Sequence, residues 1–185
     1  MFNERKAAQM AAFLLGQTKD GKMPHLKLMK LLYLAEREAV RAFGRSISGD
    51  RLVAMPHGPV LSQTLNLMDG DVESGPGGWE QWISGKENHE LSLRASLDLA
   101  ALDELAPAER DVLAHVWQQF GHMGKWEIRD WSHRNCAEWV DPKGSSYPIA
   151  FRKLAQAVGF SEHAAAELEA QNQSEQEIDR LFAAL

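Results

Sequence analysis

The sequence predicts a mainly α protein, a single compact helical domain carrying a small two-stranded β ribbon. Apolar residues recur at helical spacing through most of the 185 residues. Prolines and glycines fall where helices would start and stop. Only two short stretches, 51–56 and 89–95, read as extended, and they are expected to pair with each other. With no repeat or low-complexity linker, the economical division is one helical domain over 1–160 and an acidic helical tail over 161–185 packed on it.

Asn3 is positioned to cap a first helix over 4–16, with Ala8, Ala11, Ala12, Leu14 and Leu15 as its stripe and Gly16 near its end. Asp20-Gly21 forms a turn, and Pro24 suits the first turn of a second helix over 25–43. There Leu28, Leu31, Leu32, Ala35, Ala39 and Phe43 form a stripe that Leu26, Met29, Leu34 and Val40 widen. A face this wide belongs to a helix buried on most sides, which Gly44 stops. After the 51–56 strand, His57-Gly58-Pro59 is expected to open a third helix over 59–69. Residues 69–85, with five glycines and Pro76, form a loop carrying Trp79 and Trp82. Pro107 and Gly121 bracket a fourth helix whose stripe is Val112, Leu113, Val116, Trp117 and Phe120. A fifth covers 125–134, with Trp126, Ile128 and Trp131 at core-like spacing. Ser146 or Tyr147 starts a sixth, running through Pro148 to Val158. The tail is one helix or two, since Gln171-Asn172-Gln173 is a plausible break and Ser174 with Glu177 has capping-box spacing.

Composition narrows the functional classes. An apolar fraction of 44% and a charged fraction of 25% are ordinary for a soluble globular protein. No apolar run is long enough to span a bilayer, and the N-terminus lacks the apolar stretch of a secretory signal. A cytoplasmic location without membrane attachment is the expectation, and a single cysteine, Cys136, fits it. The net charge of −6 is uneven. Residues 161–185 hold six acids against Arg180, while residues 1–45 hold nine bases against four acids. This reads as two differing solvated faces, or as a bipolar surface that steers a charged partner or a second copy. The acidic total and the lack of a basic cluster argue against nucleic acid.

Candidate chemistry is sparse. His133 and Cys136 are three apart with Asp130 one turn earlier, a nucleophile arrangement only where a base and an oxyanion donor converge. The plainer reading is a buried thiol beside a histidine. His-Glu-x-x-His and Cys-x-x-Cys are absent, and His115 and His122 share a face only if the helix survives Gly121, so no metal site is expected. Gly75-Pro76-Gly77-Gly78 lacks the Lys-Ser/Thr of a phosphate cradle, and Pro76 removes a donor. Glu36 and Glu38 point to different faces. Neither a cofactor nor a catalytic set is expected. Trp79 and Trp82 are harder to place: in a glycine-rich loop they serve as partner anchors or fold into a loop-covered core.

One block is more specific. Lys27, Leu28, Lys30, Leu31, Tyr33 and Ala35 on the second helix are followed by Gly49, Asp50 and Ala54, then Gly58, Pro59 and Val60. This order resembles the Panacea domain of SocA-like antitoxins. A second, looser block supports the resemblance: Glu109 in one helix, then His133 and Trp139, with Tyr147 and Pro148 before the last family helix. It spans about residues 25–158. The resemblance implies no catalytic residues and a non-enzymatic role, that of the neutralising half of a toxin–antitoxin pair. The expected partner is a cognate toxin bound directly. An adaptor handing the toxin to an AAA+ protease is the second expectation, and other relatives are known only as phage-associated proteins. A Cys136/His133 hydrolase and a DNA-binding autorepressor are the readings from other classes. The partner-binding candidates are Arg37, Asp50 and His57 around the turns, and Trp79 and Trp82 in the loop. Asp50 and Pro59 equally have local structural readings, in backbone bonding and helix initiation. The tail's sparse apolar face of Leu168, Ile178, Leu181, Phe182 and Leu185 is expected to dock on its own domain, with a homodimer open.

Overall fold

The computed structural model describes residues 1–183, without the side chains of Asp179, Arg180 and Ala183. Among the described residues there are eight α-helices: α1 Glu4–Leu15, α2 His25–Phe43, α3 Ser62–Asp69, α4 Trp79–Trp82, α5 Pro107–Phe120, α6 Lys125–Asn135, α7 Phe151–Ala157 and α8 Glu162–Ala183. The strands are β1 Lys22–Pro24, β2 Leu52–Met55, β3 Gly58–Leu61, β4 Glu90–Ser92 and β5 Tyr147–Pro148. They form a two-stranded β1–β4 ribbon and a three-stranded sheet in the order β3-β2-β5, all antiparallel.

Helix α2 is the axis of the fold. It packs against α1, α5, α6, α7 and β3, and Leu28, Leu31, Leu32, Tyr33, Ala35 and Ala39 are fully buried. Each buried leucine contributes roughly 1.5–3 kcal/mol of transfer free energy. Gly44 ends the helix at φ 70°, and its N–H bonds the Val40 carbonyl. Helix α1 lies beside α2, buried from Ala7 to Leu15 on all sides rather than along one stripe. Asn3 caps it through the Lys6 N–H at 3.0 Å. Helix α5 starts at Pro107, and the Glu109 carboxylate reaches back to the Ala106 N–H at 2.9 Å.

Three expectations change. Gly58–Leu61 is a strand, and the third helix starts only at Ser62. Pairing with β2 through a two-residue Pro56-His57 turn, with all four β3 residues buried, overrides the helix-start signal of Gly-Pro. The stretch around 90–92 pairs with β1, not with β2, whose two edges are taken by β3 and β5. Tyr147–Pro148 is extended, as the residue before a proline prefers. It pairs with Val53 and Ala54, and the next helix waits until Phe151.

The tail begins as a docked helix. Ala165 is buried, Leu168 packs on Gly44, and the Arg152 N–H bonds Glu169 at 3.2 Å. No break occurs at 171–173; the Ser174 hydroxyl bonds the Ala170 carbonyl in mid-helix. Beyond Gln176 the helix leaves the body, and Ile178, Leu181 and Phe182 are 51%, 70% and 72% exposed. Leu185 lies outside the described residues. Among the described residues no helix is long and apolar enough to cross a membrane.

Candidate partner-binding site

The two motif blocks meet in space. Lys30 on α2 is fully buried, and its ammonium donates to the Pro59 carbonyl at 2.6 Å. Gly58 holds φ +92°, and a Cβ there would lie 2.8 Å from Ser132 Oγ and 3.1 Å from both Lys30 Nζ and His133 Cδ2. Glycine is therefore required twice, for its backbone angle and for the close approach of α6. From α6, His133 lies flat on Trp139, with centroids 4.1 Å apart, and the Trp139 indole N–H bonds the Met55 carbonyl at 3.0 Å. One and two helical turns beyond Lys30, the Tyr33 hydroxyl and the Arg37 Nε–H both donate to Glu138 Oε1, at 2.7 and 2.9 Å. These bonds pin the β2–β3 hairpin to α2 and to the segment after α6.

Burial dominates the electrostatics of this knot. It pulls Lys30 down to about 7, partly countered by Cys136. Burial pushes the Cys136 thiol up to about 12, with Glu138 adding to the effect, and the residue is 2% exposed. Tyr33 is raised by burial and then by the Glu138 charge. His133 is lowered by burial and then by Lys30 and Arg129. Tyr33 and Cys136 thus stay protonated and uncharged at neutral pH. A thiol held protonated is a poor nucleophile.

What the knot displays is the hairpin turn. Pro56 and His57 are exposed there, and the His57 ring meets the edge of Trp126 at 6.2 Å. Trp126, expected in the core, is instead half-exposed at the start of α6, with Lys125 and Arg129 over its ring at 5.4 and 4.7 Å. A recess of about 400 Å³ opens beside it, lined by Pro24, His25, Leu26, His57, His89, Lys125 and Trp126. A larger groove, about 530 Å³, runs between the N-terminus, β5, α7 and α8. Its carboxylates are already committed. Glu36 accepts from the Ile47 and Ser48 N–H groups and the Ser48 hydroxyl, and burial raises its pKa despite them. Asp50 accepts from the Gln63 and Thr64 N–H groups and the Thr64 hydroxyl.

The five sequence candidates separate accordingly. His57 stands at the surface. Arg37 is occupied with Glu138 and, more weakly, with the Asn135 and Ala157 carbonyls. Asp50 caps α3 from a distance. Trp79 is 3% exposed, because the Glu4 carboxylate gathers its loop onto α1 through the Ser74 hydroxyl and the Gly75 and Trp79 N–H groups. Trp82 packs half-buried against the core, leaving its indole N–H buried and unpartnered. Both loop tryptophans therefore offer a partner little surface. Lys125, Trp126, Arg129, His25 and His89 were not legible as a site. Their meeting depends on the β1–β4 pairing, and the only local signal was the Lys-Trp pair opening α6. Among the described residues no cluster of His, Cys, Asp and Glu could hold a metal.

A mainly helical domain, with Lys30, Tyr33, Gly58 and Pro59 turned inward as scaffold around a displayed hairpin, is the class of molecule these features define. Residues 28–140 match the family described as "Antitoxin SocA-like, Panacea domain", and the chain belongs to that family. The family's description supports an antitoxin role in general terms. No curated protein and no solved structure matches the chain.

Proposed function

We propose that this protein is a non-catalytic antitoxin that neutralises a cognate toxin by binding it directly. The observation that carries this reading is the family match over 28–140. The geometry is compatible with it: the motif residues hold a scaffold, and the surface nearest to them is an exposed hairpin turn flanked by aromatic and cationic side chains. The buried, protonated Cys136 speaks against the hydrolase reading. Toxin contact centres on His57 and its neighbours, where exposed aromatic and basic groups can serve as anchors.

Co-expression with the product of the adjacent gene tests this. Growth arrest by that product alone, relieved by this protein while the toxin's level stays constant, is the expected outcome. Relief accompanied by a shortened toxin lifetime would assign the neutralisation to delivery to an AAA+ protease instead. His57→Ala should weaken toxin binding in calorimetry while leaving the melting curve unchanged. Equal toxin affinity of wild type and variant would remove the hairpin turn from the interface.

A further inference from the structure

Two unpartnered surfaces of this chain complement each other. The first is the recess beside Trp126. His25, His57, His89 and Lys125 surround its half-exposed indole, and among the described residues no acidic side chain lines it. On the α6 side the nearby acids are committed, Asp130 to Arg129 and Glu127 to the Gly124 N–H of its own helix, while Glu87 and Glu90 flank His89 on the ribbon without lining the recess. The second is the free end of α8. There Ile178, Leu181 and Phe182 are more than half exposed, beside exposed Glu175 and Glu177. One surface is aromatic and carries the Lys125 ammonium, the other is apolar and acidic.

They do not meet within one chain. The recess lies at the N-terminal end of α2, at Pro24, His25 and Leu26, whereas α8 crosses the other end, where Leu168 packs on Gly44. The 19 residues of α2 put about 28 Å between those ends. Neither Leu181 nor Phe182 lines the recess.

We propose that, in the absence of toxin, the free end of α8 from one copy seats in the Trp126 recess of a second copy. Phe182 and Leu181 would cover the indole, and Glu175 and Glu177 would approach Lys125. A two-fold axis lets each copy give a tail and receive one, so the contact is made twice and closes into a dimer. Without closure the same contact would run on as an open chain. Apolar burial supplies the affinity. The charges supply register and a dependence on salt.

Light scattering after size-exclusion chromatography of the full chain, without toxin, tests the proposal across micromolar to submillimolar concentrations. The wild type should move from one to two chain masses, and added salt should shift the transition to higher concentration. Trp126→Ala, and separately the double variant Leu181→Glu with Phe182→Glu, should each remain monomeric with a native circular dichroism spectrum. Mixing the two variants should restore a heterodimer, because the intact tail of the first meets the intact recess of the second. A wild type that stays monomeric throughout overturns the proposal, whatever the recess does for a toxin. A dimer that survives both sets of substitutions overturns it as well, placing the interface elsewhere. The readout contains no toxin, so its failure leaves the antitoxin reading standing.

Discussion

Lys30 is a charged-type residue placed where a charge is hard to keep. Its pKa of about 7 lies below its usual 10.5, so between those values the unfolded chain binds more protons than the folded one. Stability contributed by this group therefore rises as pH increases above 7. The opposing groups enter later: Cys136, raised from 9.0 to about 12, and Tyr33, raised from 10.0, both lower stability with pH once their unfolded forms ionise. The melting temperature should accordingly climb from pH 7 to about pH 9 and then level off or fall. Lys30→Met should flatten the climb, and calorimetric melts across that range would read it. A wild-type profile as flat as the variant's would mean that the ammonium finds solvent or a carboxylate in solution. Asp50 acts on a shorter range. Its carboxylate satisfies two orphan N–H groups at the start of α3, the work an N-cap side chain usually does from the adjoining position. Asp50→Ala should cost about 1–2 kcal/mol in urea melts and speed amide exchange at Gln63 and Thr64. Unchanged exchange at those two amides would show that another group takes over the cap.

At the scale of elements, helices and strands differ in how far local residues determine them. The 3.6-residue period with Pro and Gly at the ends places α2 over His25–Phe43 and α5 over Pro107–Phe120 without reference to anything distant. Strand partners are set elsewhere in the chain. Whether 90–92 joins β1 or β2 depends on β3 and β5 already occupying β2, which no local pattern carries. The site divides in the same way. Lys30, Gly58, Pro59, His133 and Trp139 stand out as a pattern in the sequence, but their convergence is tertiary. Trp79 looked like an exposed loop residue because its burial rests on Glu4, seventy-five positions away. Trp126 looked like a core residue because its spacing fits a stripe that α6 only partly buries. Among the elements α2 contributes most to the core, and Leu31 lies at its centre, fully buried. Leu31→Ala should cost about 2–5 kcal/mol in urea-induced unfolding. A loss under about 0.5 kcal/mol, the scale of a surface substitution, would make α2 peripheral.

For the molecule as a whole, the issue is how α8 is attached. Its first half is part of the fold, through Ala165, Leu168 on Gly44 and the Glu169 contact with the α7 N-terminus. Beyond Gln176 the helix stands clear. Deleting residues 161–185 should lower the melting temperature of the isolated protein, because Gly44, α7 and one wall of the groove lose their cover. A truncated chain melting with the full-length protein would show that the whole tail belongs to a partner. The basic N-terminal third offers the tail less than its sequence suggested. Arg5 is paired with Glu104 and Lys6 with Glu109, so much of its charge is spent at home.

The inward orientation of the motif has a further consequence for how such a chain is recognised. Lys30, Tyr33, Gly58, Pro59, His133 and Trp139 are what make the sequence readable as a family member, and they hold the hairpin in place from beneath. His57, Lys125 and Trp126, which face outward, are not among those residues. Exchanging these three alters what the surface can grip and leaves the lettering legible. Two chains with the same signature can therefore share a chassis and recognise unlike partners. On the proposed reading, a partner is to be inferred from the side chains on the hairpin turn and the first turn of α6, and the signature itself is silent about them.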